Sequence, residues 1–159
     1  MQYLRNAYLV HAVPRFSLKS MERRSLYKYY AIDTAMVVQR EDVLLTESLG
    51  KRLENVIAIE LQRRVNADEQ VFFYRKVRDY EMDFIIVQGS RVKELIQVTY
   101  DFRNPSVKLY NREVGNLFKA SDKLHCDNLT LIMMFGDKRD IVENGRTVHC
   151  VTAHEWLLD

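Results

Sequence analysis

Residues 46–100 set most of what this chain can become. Leu49, Leu53, Val56, Ile57 and Leu61 recur at helical spacing between Thr46 and Val65, which predicts a long amphipathic helix capped by Thr46. Three short β-type runs follow: Val71-Phe72-Phe73-Tyr74, Phe84-Ile85-Ile86-Val87 and Glu94 to Tyr100. Gln88-Gly89-Ser90 between the last two is a hairpin signal, so those strands should be antiparallel neighbours. Neither the helix nor the meander can bury its apolar face alone, so they must share a core.

The rest of the chain extends that unit. Pro105 opens a helix to about Lys123, with Val107, Leu109, Tyr110, Val114, Leu117 and Phe118 on its buried face and Gly115 weakening it. Leu129 to Phe135 is continuously apolar and bounded by Asn128 and Gly136, the pattern of a strand covered on both faces. Asn144-Gly145 is a hairpin turn joining Asp140–Glu143 to Arg146–Val151, and Ala153–Leu158 reads as a terminal helical turn.

The N-terminal part is different in texture. Gln2 to Tyr8 reads as a helix end, Leu9 to Val13 as a strand stopped by Pro14, and Leu26 to Ile32 as a second extended run. Alternation puts Tyr27, Tyr29 and Ala31 on one face of that run and Lys28, Tyr30 and Ile32 on the other. Asp33 is placed to cap a short helix through Val38. The expected organisation is a linker-like extension over residues 1–40 and one domain over 41–159. The expected fold class is α/β, a mixed central sheet flanked by helices, with an N-terminal β-rich extension.

Charge narrows the function. The net value of +2 is too small to signal nucleic-acid binding by itself, but residues 1–31 concentrate Arg5, Arg15, Lys19, Arg23, Arg24 and Lys28 against Glu22 alone. Such a run can attract phosphate, which makes Arg15, Lys19, Arg23, Arg24 and Lys28 candidate nucleic-acid contacts; the plainer reading is a solvated basic loop. No apolar run approaches the roughly 18 residues of a membrane span, and Arg5 interrupts any leader, so a cytoplasmic chain without a membrane partner is expected. With no secretory signal, Cys126 and Cys150 read as reduced thiols. The spacing of His125, Cys126, His149, Cys150 and His154 lacks a zinc pattern with two thiolates.

The order helix, three strands, helix, strand is similar to the core of the PD-(D/E)XK restriction-endonuclease-like fold. Tyr3-Leu4-Arg5-Asn6-Ala7-Tyr8-Leu9-Val10, Val13-Pro14-Arg15-Phe16-Ser17 and Lys28-Tyr29-Tyr30-Ala31-Ile32-Asp33-Thr34 resemble something narrower. They look like the segment that joins a winged helix to the C-terminal domain in a family of prokaryotic P-loop AAA-type ATPases. Gly50-Lys51-Arg52-Leu53-Glu54-Asn55, Glu81-Met82-Asp83-Phe84 and Leu95-Ile96-Gln97-Val98 resemble motifs of that C-terminal domain. A G-x-x-x-x-G-K-[S/T] phosphate loop occurs nowhere among the 159 residues, so the resemblance is to the part of such proteins that lies beyond the ATPase.

What the resemblance implies is a carboxylate site for Mg2+ or Mn2+ acting on a phosphodiester. By residue type, Glu54 matches the helix acid and Asp83 the first strand acid. Gln97 stands where Asp or Glu is expected, and Thr99 where Lys is expected. Lys93, Lys76 and Arg75 are the nearest replacements for that missing cation. Two readings follow. One is a degenerate, non-cleaving nuclease-like domain that serves an ATPase system as an interaction or regulatory module and contacts nucleic acid. The other is a Mg2+- or Mn2+-dependent nuclease of DNA or RNA with a rearranged site. In the first, Tyr3, Leu4 and Tyr8 make residues 1–35 a surface for a homodimer or an ATPase or winged-helix partner.

Overall fold

The computed structural model describes residues 2–17, 26–34, 45–76 and 79–159. Lys19, Arg23 and Arg24, and residues 35–38 of the helix expected after Asp33, lie outside the described residues. The N-terminal part holds α1 (Gln2–Asn6), β1 (Val10–Pro14) and β2 (Tyr27–Ala31). The main unit follows as α2 (Leu45–Arg64), β3 (Glu69–Lys76), β4 (Tyr80–Gln88), β5 (Arg91–Asp101), α3 (Val107–Tyr110), α4 (Asn116–Leu124), β6 (Leu129–Phe135), β7 (Arg139–Glu143), β8 (Arg146–Thr152) and α5 (Ala153–Leu158).

The central sheet runs β3-β4-β5-β6-β8-β7, and β1 and β2 form a separate antiparallel pair. β5 pairs parallel with β6, and β6 parallel with β8, while β3–β4, β4–β5 and β7–β8 are antiparallel. The class expected from sequence, α/β with a mixed sheet between helices and a β extension, is the observed one. No helix among the described residues is long and apolar enough to cross a membrane.

Each face of the sheet has its own core. Leu53, Ile57, Ala58 and Leu61 of α2 pack with Val71, Phe73, Phe84, Ile86, Ile96 and Ile132, and Val13 and Tyr30 of the β1–β2 pair complete that cluster. Leu117, Ala120 and Leu124 of α4 cover Leu95, Leu129, Leu131 and Met133 on the other face. Fully burying such a side chain contributes roughly 1.5–3 kcal/mol, so the two layers fix the helices on opposite sides of the same strands. The β1–β2 pair is joined to the sheet edge where Phe16 N–H donates to Phe73 C=O at 2.7 Å.

Two local irregularities depart from the sequence reading, and both serve the site. Asp83 was expected at a strand start, but β4 begins at Tyr80. Phe72 opposes Ile85 while Tyr74 opposes Met82, so Asp83 and Phe84 together face the single residue Phe73. This β-bulge re-aims Asp83 out of the regular alternation. The helix expected to run unbroken from Pro105 to about Lys123 begins at Val107, capped by Ser106, whose side chain accepts from Leu109 N–H. It is then interrupted by a π turn over Asn111–Gly115 before α4 resumes. Such turns insert an extra residue into the helical repeat and recur at functional sites.

Candidate functional site

The site begins where two strands part. β4 and β5 pair from Gln88–Arg91 to Phe84–Ile96 and no further; beyond that, β5 continues alongside β6. The split leaves backbone N–H groups without ladder partners, and side chains take them. Asp83 Oδ2 accepts from Val98 N–H at 3.0 Å, and Gln97 Oε1 accepts from Asp83 N–H at 3.3 Å. Buried donors must be satisfied, so Asp83 and Gln97 are held by the backbone geometry of the split. Glu54, Asp83, Gln97 and Thr99 all line one cavity of about 950 Å³ that opens there.

Lys28 reaches into this cluster from β2. Its Nζ lies 2.7 Å from Glu81 Oε1, 3.0 Å from Glu54 Oε1 and 3.4 Å from Asp83 Oδ1. Three acid side chains thus surround one ammonium, and Glu54 and Asp83 accept hydrogen bonds from it. Tyr30, two residues on and therefore on the same face of β2, donates its hydroxyl to Glu54 Oε1 at 2.7 Å. Asn55, the next residue on α2, holds Ala31 by both backbone groups at 2.8 Å each. The extension is thus bolted to α2 at the place where Lys28 meets the acids.

The electrostatics follow from burial. The Asp83 carboxyl is pushed up to about 8, first by desolvation and then by the charge of Glu54, against the opposing pull of Lys28 and the Val98 N–H. Burial works against the Lys28 charge, but Asp83, Glu54 and Glu81 outweigh it and hold the ammonium above its ordinary range. Burial, and after it Glu54, raises the Tyr30 phenol, which stays a donor.

Glu113, carried by the π turn, closes the floor and is 1% exposed. Its Oε1 accepts from Arg112 Nε at 2.8 Å. Burial raises the Glu113 carboxyl, and Arg112, Gln97 and Thr99 oppose the shift. The Gln97 amide and Thr99 hydroxyl face that carboxyl, although Oε2 lies outside good hydrogen-bond geometry from either. The two positions that the nuclease pattern reserves for an acid and a lysine therefore address an internal carboxyl with neutral groups.

Not every sequence-chosen residue behaves as expected. Glu54, Asp83, Gln97 and Thr99 are brought together. Lys28, expected to contact nucleic acid, is instead spent inside the acid cluster. Arg15 sits half-buried where the extension meets the sheet edge, bridged to Phe73. The three candidate stand-ins for the missing lysine are engaged elsewhere or only at the rim: Lys93 with Glu69 at 2.5 Å, Lys76 with Asp79 at 2.6 Å, Arg75 with Glu81 at 3.7 Å. Glu81, Tyr30 and Glu113 were missed. Only Glu81, in the same strand as Asp83 and two residues before it, carried a usable signal.

The donor set can be tested against a divalent ion. Among the described residues, no three His, Cys, Asp or Glu side chains are grouped to hold a metal. Gln97 Oε1 and Asp83 Oδ2 are committed to backbone N–H groups, and Asp83 Oδ1 and Glu54 Oε1 face an ammonium. Mg2+ needs oxygen ligands on all sides with no competing cation at hydrogen-bond range, so these residues as arranged do not fit it.

No protein-family profile matches the chain, and no solved structure matches it. The chain is similar to the uncharacterized protein MJ1544 of Methanocaldococcus jannaschii, with 32% identity over 163 aligned positions that take in 99% of this chain. Those positions make up 35% of MJ1544, so the chain spans about a third of that relative's length.

Proposed function

We propose that this chain is a non-cleaving, nuclease-derived domain that serves as an interaction or regulatory module of an AAA-type ATPase system. One observation carries the reading: Gln97 and Thr99, at the positions of the second acid and the lysine, are neutral, buried and turned toward Glu113. A glutamine oxygen brings no charge to a metal, and a threonine brings no cation to a phosphorane, so the two most demanding parts of phosphodiester hydrolysis lack their groups. The longer relative, matched over a third of its length, is consistent with a module that works beside other domains. The convergence of Glu54 and Asp83 on one cavity, with Lys28 against both acids, supports a second reading, a Mg2+- or Mn2+-dependent nuclease with a rearranged site.

Cleavage separates the two. Single- and double-stranded DNA and RNA are incubated with a molar excess of the protein and Mn2+, beside Asp83→Asn. The proposed module leaves all substrates intact. Cleavage that disappears in Asp83→Asn overturns it in favour of the nuclease.

A further inference from the structure

We infer that the ammonium of Lys28 has taken the place of the divalent cation, converting an ancestral-type metal centre into an internal latch between β2 and the α2–β4 acids. The inference rests on the nuclease-derived reading, and it adds a role for Lys28, Glu81 and Tyr30 that the motif pattern does not contain. Lys28 touches an acid from the long helix, Glu54, and two acids from one strand, Glu81 and Asp83. Those are the directions from which a carboxylate site would grip an ion. The side chain is tethered, so its effective concentration at the site does not fall when the medium is depleted of cations. A divalent ion in solution must displace it and also strip its own water, which Mg2+ does reluctantly.

The latch is reinforced on both sides of the lysine. Tyr30 donates to Glu54, the same carboxylate that Lys28 touches, and Asn55 grips Ala31 by its N–H and C=O. Val13 and Tyr30 are buried in the α2-side core, so the strand pair cannot leave without opening that core. Lys28 Nζ also sits 5.6 Å above the Phe73 ring, a face that favours a cation and is of no use to a carboxylate ligand set. The three acids therefore exclude divalent ions because Lys28 already occupies the place between them, and Lys28 determines that specificity.

The test reads metal binding, which is independent of cleavage. Mn2+ binding to the full chain is followed by electron paramagnetic resonance for wild type, Lys28→Met and Lys28→Arg. Wild type and Lys28→Arg should show no specific site. Lys28→Met, which frees Glu54, Glu81 and Asp83, should bind at least about tenfold more tightly. Equal Mn2+ affinity in wild type and Lys28→Met, lost in Asp83→Asn, overturns the inference. A second measurement needs no variant: Mn2+ added to the labelled wild type should leave the amide signals of Asp83, Gln97 and Val98 sharp. Selective broadening of those three also overturns it. Specific metal binding by the wild type without cleavage removes the latch and leaves the module reading standing, whereas cleavage removes the module reading, so the two failures are distinct.

Discussion

Restoring the motif acid should weaken this protein rather than revive it. Gln97 is 6% exposed and does two things at once: its Oε1 accepts from Asp83 N–H, and its amide faces the Glu113 carboxyl. Gln97→Glu keeps the first role and reverses the second, putting one carboxylate against another in a buried floor. No hydrogen bond is lost with the amide, because Glu113 Oε2 lies outside hydrogen-bond geometry; the cost is the repulsion. That repulsion is relieved only by holding a proton on the pair, which costs about 1.4 kcal/mol for each unit of pH above the ordinary carboxylate pKa, up to the raised pKa of the pair. A net loss of about 3 kcal/mol at pH 7 is expected, or roughly 6–12 °C in Tm for a chain of this size. The sign is fixed by which state holds the proton. The folded pair has the higher pKa, so the repulsive part of the deficit is absent below the ordinary carboxylate range and grows as pH rises through it. Thermal and urea unfolding at pH 4.5 and pH 7 read both numbers. A variant as stable as wild type at pH 7, or a deficit equal at both pH values, would refute the coupling of Gln97 to Glu113.

Two further outcomes follow from the same cluster. Asp83, at about 8 in the fold against an ordinary 3.8, binds one more proton folded than unfolded between those values. Its contribution to stability therefore falls as pH rises through that window, by at most about 1.4 kcal/mol per unit. Asp83→Asn should flatten the slope of urea midpoints between pH 5 and pH 8; an unchanged slope would assign the titration elsewhere. Tyr30→Phe removes the hydroxyl that donates to Glu54 at 2.7 Å and should cost about 1.5 kcal/mol. Amide exchange in β2 should rise with it, and unaltered protection there would show that the phenol does not secure the strand.

Periodicity made the scaffold legible. The apolar stripe of α2, the Gly89 and Asn144-Gly145 turns and the unbroken apolarity of β6 each state a local preference that the tertiary structure keeps. Glu54, Asp83 and Gln97 were named through the resemblance of their motifs, on elements that periodicity made readable. What could not be read was long-range and irregular. Lys28 lies 26 residues from Glu54 and 55 from Asp83, and a lysine in a basic run gives no sign that it will turn inward. Its placement on the face shared with Tyr30 was visible from alternation, but the acids waiting there were not. The bulge at Asp83 has no glycine or proline to announce it. In the interrupted helix, Gly115 hinted at weakness without saying that Glu113 would be turned to the floor.

The π turn has a consequence for how this cavity could vary between relatives. An α-helix advances about 100° per residue, so deleting a single codon within Asn111–Gly115 would let the turn rewind as α and swing everything before it around the axis. Glu113 would leave Gln97 and Thr99 facing nothing, while α4 and its packing stayed put. Length in this one stretch, together with the identity of residue 113, decides whether the floor keeps its hidden acid.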